Sequence, residues 1–339
     1  MLKTAVIGVG RMGRRHVKVV QDLGLSLVGI CDQSSDALKI CQQENGVSSD
    51  NHFTSVEKML KNTHPDCVIV ATTAPTHCEY TCLAAESGVQ YILCEKPMAI
   101  SLAQCNQMIK ICKKNGADLA INHQMRFMEQ YTEPKKIITS EAFGGLSSIT
   151  VVGGNVGIAM NGTHRFEMFR YITDEKPREI TAWFSDEKIP NPRGPQFEDQ
   201  AGSVRITTPK GKRLFMDVSA DQGHGIKVIY AGRYGQIVVD ELKGEMFLSV
   251  RREEDRNLPT TRYGCTSLDT VKRIPPADAT TPTRSVLNAL IRKDNYPTGN
   301  EGRLAITTLV AAYCSNEQGH KPVIIDEDNL PADREFPWA

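Results

Sequence analysis

From Lys3 to Ile121 the chain alternates short apolar runs with longer amphipathic ones, and that alternation leaves few folds open. KTAVIGVG, LSLVGICD, PDCVIVAT, VQYILCEKP and ADLAINH read as strands. GRRHVKVVQDLG, SDALKICQQEN, HCEYTCLAAESG and SLAQCNQMIKICKKNG read as the helices between them. In the first helix Val17 and Val20 face inward and Gly24 stops it; Ser35 or Asp36 caps the second. PDCVIVAT is continuously apolar, as a strand covered on both faces must be. Strand and helix in strict turn give a parallel, doubly wound α/β sheet.

After Asn122 the period changes to two. SVRITTPKGKRLFMDV reads as a hairpin turning at Pro209-Lys210-Gly211, and KVIYAGRYGQIVVDEL as another turning between Gly232 and Gly235. EMFLSVRR adds a strand. A helix around Phe166 to Tyr171 and two late helices, TRSVLNALIRK and EGRLAITTLVAAYCSN, complete an α+β domain on a large, mostly antiparallel sheet. At 339 residues the chain exceeds one ordinary core, so two domains are expected, 1–121 and 122–339. The Pro- and charge-rich stretch from Ser185 to Gln200 reads as an exposed loop.

Composition excludes several function classes. The formal net charge is zero and no basic stripe appears, so nucleic acid is not an expected partner. No apolar run reaches the roughly 18 residues of a membrane helix, and the opening lacks a signal-peptide pattern, so a cytoplasmic protein is expected. Ten cysteines in a long chain of this kind, most of them in apolar-periodic stretches, read mainly as core thiols. His77, Cys78 and Cys82 lack a second ligand pair, and no metal site is assigned.

Gly8, Gly10 and Gly13 form G-x-G-x-x-G directly after the first strand and at the start of a helix. That context gives the triplet its meaning: a tight turn, close approach of backbone to a pyrophosphate, and close helix–strand contact. The helix start, with Arg11 and Met12, offers free N–H groups to phosphate. Asp32 ends the second strand, where a carboxylate suits ribose hydroxyls and repels a 2′-phosphate. Gln33-Ser34-Ser35 supplies no arginine, so NAD is expected over NADP.

The fourth strand-like run ends in Glu95-Lys96-Pro97, an acid, a base and a residue that cannot donate to a ladder. As a surface ion pair this would be worth little. Together with the glycines, VIVATTAPTH, QMRF and NGTH in this order, CEKPMAIS resembles the Gfo/Idh/MocA family of nicotinamide-dependent oxidoreductases over nearly the whole chain. The resemblance implies a Rossmann domain followed by an open-faced sheet domain that holds substrate and often an oligomer interface, hence a homo-oligomer, dimer or tetramer. It implies that Thr72, Thr73 and His77 lie on the cofactor side, that Glu95 and Lys96 sit by the nicotinamide ribose, and that Lys96 faces the substrate hydroxyl across a cis Lys96–Pro97 bond. The chemistry agrees, because an ammonium beside a reacting hydroxyl stabilises the developing alkoxide and can relay its proton.

By the same resemblance His164 is the second catalytic group, an imidazole suited to accept a proton near neutral pH. Family members carry an acid or amide four residues earlier, where this chain has Met160, and an aspartate three residues later, where it has Glu167. Glu167, one turn on, is in reach of His164. Gln124, Arg126, Asn161 and Thr163 are assigned to substrate, with Arg126 equally suited to a domain interface. His16, Asp199 and Gln200 read as structural. The expected activity is hydride transfer between NAD and a secondary hydroxyl of a sugar, sugar derivative, nucleotide sugar or cyclitol. An enzyme that retains its NAD and uses transient oxidation for elimination or hydrolysis of a glycoside, and a non-catalytic dinucleotide-binding regulator, are the alternatives.

Overall fold

The computed structural model describes residues 1–154, 156–188, 190–259 and 265–339. In the first domain the order is β1 (Lys3–Ile7), α1 (Arg11–Asp22), β2 (Ser26–Cys31), α2 (Ser35–Asn45), β3 (His52–Phe53), α3 (Val56–Thr63), β4 (Cys67–Val70), α4 (His77–Glu86), β5 (Tyr91–Cys94), α5 (Leu102–Asn115) and β6 (Asp118–Ile121). The six strands are all parallel in the order β3-β2-β1-β4-β5-β6. The order reverses between β1 and β4, the switch point at which such sheets open a crevice beyond the strands' carboxyl ends. Ala5, Val6, Val68 and Ile69 are fully buried because both sheet faces are covered. Ser34, rather than Ser35 or Asp36, caps α2: its Oγ accepts the Ala37 N–H at 3.2 Å. The cap must precede the first helical residue, and Ser35 already is one.

The second domain runs α6 (Glu129–Ile138), β7 (Leu146–Gly154), α7 (Thr163–Thr173), β8 (Glu179–Lys188), β9 (Gln200–Thr207), β10 (Arg213–Ser219), β11 (Lys227–Gly232), β12 (Gly235–Asp240), β13 (Glu245–Val250), β14 (Leu268–Arg273), α8 (Thr280–Arg292), α9 (Gly299–Glu317) and β15 (Val323–Ile324). Among the described residues nine strands lie in the order β14-β13-β12-β11-β7-β10-β9-β8-β15. Every pairing is antiparallel except β7 with β10. Inward residues such as Leu214, Met216 and Val218 are buried, whereas Trp183, Phe215, Phe247 and Val271 stay exposed. The chain then returns: Val286, Leu287 and Leu290 of α8 pack into the first domain's core with Val17 and Val20 of α1.

The segment expected as an exposed loop from Ser185 to Gln200 is not one throughout. Ser185 to Lys188 continue β8, and Asp199 is buried. Ile189 lies outside the described residues. Asp199 is drawn inward because its carboxylate accepts the Ala159 and Met160 amides, distant in sequence.

Candidate active site

At the switch point lies a cavity of about 790 Å³, lined by Gly8, Gly10, Arg11, Met12, Asp32, Thr72, Thr73 and Glu95, with Pro192 and Arg193 from the second domain. The three glycines divide the work. Gly8 has φ +84°, and a Cβ there would meet Thr72 and Ala71 below 3 Å. A Cβ on Gly13 would strike the Gly8 carbonyl at 1.8 Å, so α1 sits against β1 only with glycine. A Cβ on Gly10 would meet nothing within 4 Å: that glycine faces the open cavity. No side chain caps α1, whose first N–H groups stay free for an anion.

Asp32 is held by two backbone amides. Its Oδ2 accepts from Val9 and its Oδ1 from Ser34, each at 2.9 Å. These bonds fix the carboxylate at the end of β2, beside the glycine turn. Turn, helix start and carboxylate together fit the pyrophosphate and adenosine ribose of a dinucleotide.

Beyond the glycines, β5 delivers Glu95 and Lys96. The Lys96–Pro97 peptide is cis. Glu95 Oε1 accepts from His16 Nε2 at 2.7 Å and from Asn122 Nδ2 at 2.8 Å. Burial alone would raise this carboxyl; the His16 imidazole, the Lys96 ammonium and the Asn122 amide outweigh it and hold it at about 2. His16 thus carries more than packing. Lys96 Nζ donates to the Met160 carbonyl at 2.7 Å. Burial, then the charge of Arg193, pushes Lys96 down to about 8 against the opposing pull of Glu95 and Asp199.

His77 does not line the cavity; its ring nitrogens meet the carbonyls of Pro97 at 2.9 Å and Thr72 at 3.1 Å. It ties the loop after β4 to the Lys96–Pro97 turn. His164, at the start of α7, is buried with Nδ1 unpartnered. Burial first, then the positive charges of Lys96, His123 and Arg165, hold its pKa well below the ordinary imidazole value. The expected bond between Glu167 and His164 does not form. Glu167 accepts from Arg126 and from Arg170 at 2.7 and 3.0 Å, because guanidinium forks satisfy a buried carboxylate better than one imidazole N–H can.

Arg126 also donates to Glu301 at 2.9 Å and stacks on Tyr171, 5.1 Å from its ring centroid. These bonds join the turn after β6 to α7 and α9, all within residues 122–339. Thr163 turns back on its own helix, donating to Ala159 O at 3.0 Å. Gln124 and Asn161 remain open to a ligand, since Gln124 Oε1 and Asn161 Oδ1 are buried without partners. His123 was not read from the sequence. It follows β6, is 1% exposed, lies edge-on to His164 at 5.6 Å between ring centroids, and has neither nitrogen paired. Its place just past the carboxyl end of a parallel strand was the available signal. Arg193 was missed as well; it donates to Ala339 O at 2.8 Å while bordering the cavity.

Burial pushes Cys67 and Cys112 up to about 12, so these thiols are not poised nucleophiles. Among the described residues no group of three or more His, Cys, Asp or Glu is arranged to hold a metal, and no helix is long and apolar enough to cross a membrane.

Fold and glycine turn define an architecture of the dinucleotide-binding kind. Residues 2–123 match the GFO_IDH_MocA family model, described as oxidoreductase family, NAD-binding Rossmann fold. It is 32% identical over 143 residues to D-apiose dehydrogenase of Paraburkholderia graminis, spanning 42% of this chain and 37% of the relative. It is 24% identical over 277 residues to myo-inositol 2-dehydrogenase of Thermotoga maritima, spanning 75% and 80%. Two solved structures share the fold: an oxidoreductase from Agrobacterium radiobacter in complex with NAD+, L-tartaric acid and magnesium (TM-score 0.79, 19% identity, 96% and 98% covered) and levoglucosan dehydrogenase with NADH and levoglucosan (0.78, 17%, 96% and 100%).

Proposed function

We propose that the protein transfers a hydride between NAD and a secondary hydroxyl of a sugar, sugar derivative or cyclitol. One observation supports this above the others. Beside Lys96 and Glu95, buried polar atoms of Asn122, His123, Gln124, Asn161 and His164 are left without partners. Folded proteins pair almost all such atoms, so a cluster of them fits a ligand that brings its own hydroxyls. The relatives named for apiose and inositol oxidation fit the same chemistry.

In this reading Gly8, Gly10, Arg11, Met12, Gly13 and Asp32 hold the dinucleotide, which supplies the hydride acceptor when bound. Asp32 selects NAD, its carboxylate repelling a 2′-phosphate. Lys96 donates to the reacting oxygen and stabilises its developing charge. Neutral His164, deprotonated because it is buried among cations, accepts the hydroxyl proton. Gln124 and Asn161 orient the remaining hydroxyls.

The test incubates the protein with NAD or NADP and a panel of cyclitols, free sugars and nucleotide sugars, following reduced nicotinamide by absorbance. Reduction is expected with NAD on one substrate class, and at least roughly a hundredfold lower kcat in Lys96→Ala with NAD still bound. Full activity in Lys96→Ala would overturn the reading. Product formation without net cofactor reduction would point to an enzyme that retains its NAD.

A further inference from the structure

Asp199, read from the sequence as a strand-opening residue, is 2% exposed and turned away from solvent. Both carboxylate oxygens are committed to one short stretch of backbone, the π-helical turn Ile158–Gly162 ahead of α7. Oδ1 accepts from the Ala159 amide at 2.8 Å and Oδ2 from the Met160 amide at 2.9 Å. Room for that carboxylate exists because residue 157 is glycine: a Cβ there would lie 1.9 Å from Asp199 Cγ. The same Met160 offers its carbonyl to Lys96 Nζ at 2.7 Å. Two hydrogen bonds and one residue therefore connect the carboxylate to the ammonium.

We propose that Asp199 is the positioning residue for Lys96: it fixes the Met160 backbone that aims the ammonium, and its negative charge offsets that of Arg193. The proposal rests on the reading of Lys96 as the group that faces the substrate oxygen. A capping aspartate alone would explain the two amide bonds. It would not explain why the capped residue is the one that receives Lys96, from another domain. The groups that face Lys96 make the charge matter. Glu95 comes from its own loop and is engaged by His16 and Asn122. Arg193 from the 190–199 segment opposes the ammonium, as protonated His123 or His164 would. Among the described residues Asp199 is the other anion acting on Lys96, and its own surroundings are Lys96, Arg193 and Tyr313.

The experiment needs no substrate in its first arm. Full-length wild type, Asp199→Asn and Asp199→Glu are treated with an amine-reactive label across pH 6 to 10, and labelling of Lys96 is quantified by peptide mass spectrometry. In Asp199→Asn the half-labelling pH should fall by roughly half a unit or more, because the nearby anion is gone. In Asp199→Glu, which keeps the charge on a longer arm, it should stay near wild type. The second arm uses whichever hydroxyl substrate the wild type oxidises. In Asp199→Asn, kcat should fall roughly tenfold at pH 8 with KM little changed. It should recover partly at lower pH, where Lys96 regains its proton. Superimposable labelling curves for wild type and Asp199→Asn, both folded by thermal melting, would overturn the proposal, as would equal shifts in the Asn and Glu variants. Should the wild type oxidise nothing, the functional reading fails, while the labelling arm still decides the role of Asp199.

Discussion

In the proposed reaction Lys96 and His164 divide one task between opposite protonation states. Lys96, pushed down to about 8, is a cation at neutral pH; His164, held well below its usual value, is a free base. Alcohol oxidation needs both, a base to take the proton and a cation beside the oxygen. The pH profile of kcat should therefore show an acid limb set by protonation of His164 and an alkaline limb near 8 as Lys96 loses its charge. Lys96→Arg keeps a cation at every accessible pH, so the weakened activity of that variant should lose the alkaline limb. An alkaline limb that persists near 8 in Lys96→Arg would assign it to another group. Both residues stood out as candidates because they stand in local patterns, Glu-Lys-Pro after a strand and a histidine at a helix start. Arg193 and Asp199 did not, because nothing beside them in sequence marks them, and His123 offered only its position past the end of β6. Their partners lie far off: His164 for His123, Ala339 for Arg193 and Met160 for Asp199.

Among the elements, the turn after β6, α7 and α9 are joined by a buried charge network rather than by apolar contact alone. Arg126 and Glu167 have side chains 2% and 3% exposed, and Arg170 and Glu301 complete the set. Glu301 serves twice, since it also closes the capping box of α9 with Thr298. Arg126→Ala leaves a buried carboxylate with Arg170 as its remaining partner, a change expected to cost about 3 kcal/mol in urea unfolding. The ratio of kcat/KM for anionic and neutral sugars should not move. Loss of preference for an anionic sugar, with stability intact, would instead make Arg126 a substrate ligand. The fold was legible where burial imposes a period: the buried parallel strands as continuous apolar runs, the two hairpins as alternation around turn residues. It was not legible at the edges. β14 is exposed at every position and so carries no alternation, β3 and β15 have two residues each, and the eight residues of α3 are too few to establish a helical period. The parallel pairing of β7 with β10 joins strands far apart in the chain and has no local signature at all.

Across the whole molecule, the cleft between the two sheets trades stability for chemistry. His77, His123 and His164 are each 4% exposed or less, and burial is the first cause of a lowered pKa in all three, His123 reaching about 4. Released on unfolding, each imidazole titrates near 6.5. A folded pKa below the unfolded one means that the unfolded chain binds more protons below 6.5. The contribution to stability is therefore complete above that pH and is lost as pH falls. Asp199 works in the opposite sense: its folded pKa is raised to about 6, so protonation favours the fold as pH drops through that value. Glu95, held at about 2, changes nothing until pH falls below its unfolded value near 4.5. Three lowered histidines against one raised aspartate leave a net loss between pH 6.5 and 5. Each histidine that stays neutral costs up to about 1.4 kcal/mol per pH unit in that window. Differential scanning fluorimetry should show Tm falling by roughly 2 to 4 °C between pH 7 and 5.5. The fall should be shallower in His123→Phe, which removes one of the three imidazoles together with two unpaired nitrogens. A Tm that holds or rises over this range would mean that at least one of these histidines carries its proton in the folded protein, and the free-base role of His164 would then need a direct titration by NMR.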